Sequence, residues 1–179
     1  MKKLLGLSLL VGMLFLSGCA ISHTYGPYTG KVVDKETAEP IEGAVVFMSF
    51  YTLLPTPGGQ TSYYADATET LTDRQGQFVI PTQWVWAFRP LSFWEPQPQV
   101  IIFRPGYGAF PEHRDTSYEP KGWFKVGVPL TIKLPKLKTR EERRDNLGNL
   151  WAGSGVPQEK HRRLSTLERT ERVELGLKP

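Results

Sequence analysis

The sequence predicts an all-β fold, a seven-stranded antiparallel β-sandwich, set between an N-terminal export signal and a partly helical, flexible C-terminal tail. Three observations point there. From Thr29 to Pro135, short apolar or alternating runs are separated by turn clusters, the pattern of a sandwich. Fifteen prolines and 17 glycines among 179 residues work against long helices. Apolar residues make up 40% and charged residues 22%, which excludes wholesale disorder.

Residues 1–18 come first. Lys2 and Lys3 precede an apolar run from Leu4 to Leu16, which at 13 residues is too short for a membrane span needing about 20. It reads as a secretory h-region. Leu16-Ser17-Gly18-Cys19 resembles the bacterial lipobox. That resemblance implies a diacylglycerol on the Cys19 thiol, cleavage before Cys19, and acylation of the new amine, palmitate being a typical chain. Cys19 is the only cysteine, so no intramolecular disulfide competes for it. Two or more acyl chains give stable attachment. Ala20 follows Cys19 where an Asp would favour inner-membrane retention, so in enteric-type bacteria the resemblance implies the outer membrane, facing the periplasm. Residues 19–28 then read as a short lipidated tether.

The sandwich is expected over residues 29–135. Gly30–Asp34 is a first strand. Ala44–Tyr51 is a second, nearly all apolar and therefore expected to be buried on both faces. Leu54–Gly59 reads as a loop. Tyr63–Thr72 alternates, with Ala65, Ala67, Glu69 and Leu71 on one face. Asp73-Arg74-Gln75-Gly76 is a turn, Asp capping its amides and Gly accepting a left-handed backbone, and Phe78–Ile80 follows as the partner strand. Gln99–Phe103 is another strand, broken by Pro105-Gly106-Tyr107-Gly108. Val126–Leu134 alternates strictly and closes the set.

Gly30-Lys-Val-Val-Asp34, Thr37, Pro40-Ile-Glu-Gly43-Ala44-Val45, Thr72-Asp-Arg-Gln-Gly76-Gln-Phe78 and Gly106-Tyr107 resemble the carboxypeptidase regulatory-like domain. That family has a transthyretin-like (prealbumin-like) sandwich, and the resemblance covers residues 29–135. The departure lies between Ile80 and Val100, where the chain carries Trp84, Trp86, Phe88, Phe93 and Trp94 among prolines. Trp84, Trp86 and Phe88 alternate and so share one strand face. The simpler reading turns that face into the core. The other makes it a stacking platform for sugar or peptide, or a wedge into the membrane interface beside the anchor. Phe93 and Trp94 are expected to be exposed in a loop.

Residues 136–179 hold 11 Lys/Arg against 7 Asp/Glu, net +4, whereas residues 20–135 are net −2. Thr139 with Glu142 and Ser165 with Glu168 fit capping boxes, and Glu168–Arg172 is an i,i+4 pair. Apolar periodicity is poor, so these helices would be marginal alone. Asn146–Pro157 reads as a flexible link, with Trp151 a candidate partner anchor.

The regulatory-like name brings no activity with it. Zinc carboxypeptidases need a His-x-x-Glu pair and a further His, and none of His23, His113 and His161 has Glu three residues on. The C-terminal Tyr-Arg-Gly-Ser of transthyretin-like hydrolases and the Gly-x-Ser-x-Gly of serine hydrolases are both missing. Asp66, Glu69 and Asp73 lack the spacing of a calcium loop. No cofactor or metal is expected, and export argues against nucleic acid. The sequence therefore points to a non-catalytic envelope lipoprotein. Cys19 would carry it on the membrane. Trp84, Trp86, Phe88, Phe93, Trp94 and Trp151 are candidate contacts for an envelope protein or glycan. Its alternatives are an assembly subunit docked through the tail and, less favoured, a cryptic hydrolase.

Overall fold

An apolar strand with no alternation needs cover on both sides, and the run beginning at Val45 receives it: every residue from Val45 to Thr52 is buried. The computed structural model describes residues 19–178, so the predicted signal at 1–18 lies outside the described residues. Ten strands are present among them: β1 (Cys19–Tyr25), β2 (Tyr28–Asp34), β3 (Val45–Thr56), β4 (Gly59–Leu71), β5 (Gln77–Ile80), β6 (Gln83–Pro90), β7 (Phe93–Trp94), β8 (Gln99–Phe103), β9 (Ser117–Glu119) and β10 (Leu130–Leu134). Two α-helices follow, α1 (Arg140–Asn146) and α2 (Arg162–Glu174).

The protein is mostly β, arranged as a sandwich. One sheet runs β5-β2-β10-β9 and the other β4-β3, with β7 and β8 sharing the far edge of β3. Val32, Phe78, Ile80, Ile132 and Leu134 from the first sheet meet Val46, Met48, Phe50, Val100 and Ile102 from the second. Tyr25, Val85 and Phe124 close the rim of this core. The other face of β3 and β8, namely Val45, Phe47, Ile101 and Phe103, forms a second core under Leu150 and Leu164 of the tail. The two-sided burial predicted for this strand is thus real, and the tail is its second cover.

Several expectations are corrected. Ten strands are described where seven were expected, eight of them in the two sheets of the sandwich and two in a separate ribbon, and the set is not wholly antiparallel, since β10 runs parallel to β2. The chain crosses to the other sheet between those strands, a connection long enough to permit parallel pairing. The expected loop at Leu54–Gly59 is instead the paired end of a long hairpin, Pro55 standing opposite Gln60. A bulge opposite Phe50/Tyr51 breaks the alternation of β4, so Ala65 packs on the main core while Ala67 joins the second. Strict alternation from Val126 does not make a strand there: Val126 and Val128 are exposed around a turn at Gly127, and β10 begins only at Leu130.

The Asp73 turn forms as predicted, its Oδ1 accepting from the amides of Gln75 (2.9 Å) and Gln77 (2.8 Å). Its strands, however, belong to different sheets, and β5 pairs with β2. The turn is a corner between layers. Gly76 sits at φ +71° with its Cα so close to β2 that an added Cβ would lie 2.4 Å from the Val32 carbonyl oxygen.

The predicted tether is a strand. In β1, Tyr25 points inward, stacks on Phe50 at 4.4 Å and donates its hydroxyl to the Glu95 carbonyl at 2.6 Å. Ser22 and Thr24, whose polarity suggested a linker, occupy its exposed outer face.

The tail is ordered as well. The Thr139–Glu142 capping box is present at the start of α1, and Arg172 donates to Glu168 at 2.9 Å. The Ser165–Glu168 box is not: α2 starts at Arg162, and its first amides are taken by Glu69 of β4, which accepts from Arg163 N (2.8 Å) and Leu164 N (3.1 Å). A carboxylate there also suits the positive end of the helix. The inward stripe of α2 runs from Leu164 through half-buried Leu167 to Glu171, which is fully buried, and ends on the buried C-cap Leu175. Arg143 of α1 clamps Glu171 with two bonds of 2.8 and 2.6 Å, and the Gly106 amide donates to it at 3.0 Å. The expected flexible link is pinned by buried Asn146, which accepts from Ala109 N at 2.9 Å and donates to Tyr107 O at 3.1 Å.

Two outcomes follow. Gly76→Val lowers the unfolding free energy by at least about 2 kcal/mol, since it adds left-handed strain to the clash with Val32; a urea midpoint equal to that of the parent contradicts the corner. Glu69→Ala costs about 1 kcal/mol by uncapping α2, with amide exchange at Arg163 and Leu164 speeding before that of β3.

Candidate functional site: an aromatic ribbon and a polar groove

Alternation along β6 divides its side chains cleanly. Val85 is buried in the main core, whereas Trp84, Trp86 and Phe88 are 68%, 65% and 75% exposed. The simpler sequence reading, that these three face the core, is therefore overturned. The reason is pairing: β6 joins β1 in a separate two-stranded ribbon, so only one of its faces has a sheet beneath it. The indoles of Trp84 and Trp86 lie nearly parallel, with centroids 6.1 Å apart and planes 8° from each other. Opposite them on β1 stand Thr24 and Ser22, and the register ends with Ala20 against Arg89 and Cys19 against Pro90.

Phe93 and Trp94 form the short strand β7 against Leu53 and Thr52 of β3. Phe93 is exposed, as expected. Trp94 is not: it is half-buried, stacks on His23 at 5.7 Å and meets Tyr25 edge-on at 6.3 Å. Burial lowers the pKa of His23.

Trp151 lies elsewhere, 73% exposed at the lip of a groove of about 630 Å³. This groove runs between β8, the Pro111-Glu112 loop and the Gly148–Ala152 segment of the tail. Glu95, Gln97, Gln99 and Glu112 supply its polar groups, and Trp123 and Trp151 its aromatic faces. Trp123 is held in place by donating Nε1 to Pro98 O at 3.0 Å and by stacking on Phe110 at 5.8 Å. Burial pushes the Glu95 carboxyl above the usual range. Sequence reading found only Trp151 of this set. The others come from three distant segments, and none sits in a motif.

The remaining polar candidates take structural contacts. Asp66 pairs with Lys160 at 2.6 Å, Glu69 holds α2, and Asp73 builds the corner. His113 accepts the Asp115 amide on Nδ1 at 3.3 Å. The His161 imidazole meets the Ser165 hydroxyl at 2.9 Å, one helical turn on. Among the described residues, no group of three His, Cys, Asp or Glu is placed to hold a metal, and no helix is long and apolar enough to cross a membrane.

Compared with protein-family models, with curated proteins and with solved structures, the chain matches none.

The ribbon's two faces separate in a stability experiment. Replacing Trp84, Trp86 and Phe88 together by Ser leaves the unfolding free energy within about 0.5 kcal/mol, as for surface sites. Val85→Ala, between them, costs about 2 kcal/mol.

Proposed function

We propose that this chain is a lipid-anchored protein of the bacterial cell envelope, on the periplasmic face of the outer membrane. Its sandwich is a non-catalytic module of the carboxypeptidase regulatory-like, transthyretin-like kind that works by binding. The lipobox-like Leu16-Ser17-Gly18-Cys19 and the turn motifs around Gly43 and Asp73 support the two halves of this reading. The observation that carries it is the register of β1: Cys19 stands opposite Pro90, at the end of a ribbon stitched into the domain. A lipid on Cys19 would hold the body against the bilayer with almost no leash.

The groove beside β8 is then the binding surface turned to the envelope. Carboxylates and side-chain amides beside two indoles suit a hydroxyl-rich polymer, hydrogen-bonded at its edges and stacked on its apolar faces. A wall glycan fits that chemistry best. The tail contributes Trp151 to the groove's lip, while Leu164, Leu167 and Leu175 face inward.

Cys19→Ser abolishes labelling by an alkyne fatty acid in the native host. Persistent labelling refutes the anchor. For the groove, Trp151→Ala lowers retention on purified wall glycan about ten-fold, and equal retention by parent and variant removes the groove from the account.

A further inference from the structure

The ribbon carries more than an attachment point. β1 and β6 together contain no Asp or Glu, in a chain that has 18. Their single formal charge, Arg89, belongs to the alternate set of β6 that includes Val85, opposite to the aromatic row. Its guanidinium donates to Tyr64 O at 2.9 Å and lies 5.0 Å above the Tyr63 ring. The outward set, Ser22, Thr24, Trp84, Trp86 and Phe88, is wholly uncharged.

The apolar surface does not stop at the row. Ile21, in the bulged stretch of β1, and Leu91, just past β6, are both exposed. Leu91 sits at φ +65°, a left-handed backbone that costs a leucine and that Gly or Asn would occupy more cheaply. An exposed, backbone-strained leucine is thus kept beside Pro90, at the ribbon end where Cys19 pairs. From there Phe88, Trp86 and Trp84 recede along the strand, the row from 84 to 88 spanning about 14 Å.

We propose that this outer face lies in the interfacial zone of the membrane, indoles at headgroup depth, so that the domain rests flat on the lipid surface. The inference rests on the Cys19 reading for its geometry. Three features favour lipid over a protein or glycan occupant. The face begins at the acylated residue, it is free of acids that would repel anionic headgroups, and its two indoles combine an apolar body with an N–H that headgroup oxygens can accept. A glycan-binding face would need the fixed polar partners that the groove has and the ribbon lacks.

The test uses full-length lipidated protein reconstituted in phosphatidylethanolamine–phosphatidylglycerol vesicles with lipids brominated near the headgroup end of the acyl chains. Tryptophan emission should be quenched and blue-shifted, and Trp84→Phe with Trp86→Phe should remove more than half of the quenching although Trp94, Trp123 and Trp151 remain. Unmodified protein should float with the same vesicles, and the Ser triple variant at 84, 86 and 88 should lose at least ten-fold in that association while keeping its circular dichroism. Bromine quenching that the double variant leaves unchanged overturns the proposal. So does a ribbon shielded from aqueous acrylamide in whole envelopes but open to it on pure lipid, which would identify a protein occupant. Mass spectrometry of the N-terminal peptide reports separately on Cys19: a diacylglyceryl mass without quenching leaves the anchor standing and sinks the seat, whereas flotation with an unmodified thiol does the reverse.

Discussion

A strand with apolar side chains on both faces cannot sit at the surface of a two-layer protein, and β3 dictates much of what surrounds it. One of its faces supplies Val46, Met48 and Phe50 to the space between the sheets. The other supplies Val45 and Phe47, which would be open to water in a bare sandwich. Burying such a face contributes roughly 25 cal/mol per Å² of apolar area, and the tail is what buries it. The helices gain stability from that contact that they lack alone, and the sheet gains a lid. Polar bonds then fix where the lid sits. Glu69 receives the head of α2, Asn146 ties the linker to the Tyr107–Ala109 backbone, and Arg143 neutralises Glu171 inside the contact. A buried pair of this kind is weak evidence for added stability, since desolvation offsets the attraction, but removing one partner leaves a stranded charge. It acts as a register pin.

Much of the sandwich was legible because its signals are local. The Asp73–Gly76 turn, the nearly continuous apolar run at Val45 and the capping box at Thr139 are each written in neighbouring residues, and each is found. The misreadings have equally physical causes. Glu171 occupies a core position in α2, so the apolar period that would have revealed a packed helix is interrupted where it matters. Residues 19–28 look like a linker because Ser22 and Thr24 face water, while His23, Tyr25 and Tyr28 hold the inner side without an apolar run to announce it. A single bulged residue in β4 reverses the faces of Ala65 and Ala67, which no count of alternation can foresee. Which strands share a sheet is a long-range matter, and there the hairpin expected at Asp73 proved to be a corner.

The candidate sites show the same division. Alternation correctly placed Trp84, Trp86 and Phe88 on one face, but whether that face met core or solvent depended on β6 pairing with β1 outside the main sheets. The groove was invisible beforehand, since Glu95, Glu112 and Trp123 are brought together only by the β8 edge and the covering tail. The two surfaces differ in kind. The outer face of the ribbon is aromatic and uncharged, whereas the groove is concave with carboxylates and amides along its walls. One chain thus presents a face compatible with lipid and another compatible with polar polymer.

The clasp on Glu171 also bears on how the molecule carries load. Tension drawn on α2 passes through Glu69 into β4 and so to its partner β3, and through Glu171 and Arg143 into α1, which Asn146 ties to the Tyr107–Ala109 backbone. From β3 it reaches β1 by the stack of Phe50 on Tyr25. The C-terminal helix and β1 are therefore connected by hydrogen bonds, an ion pair and packed rings instead of slack chain.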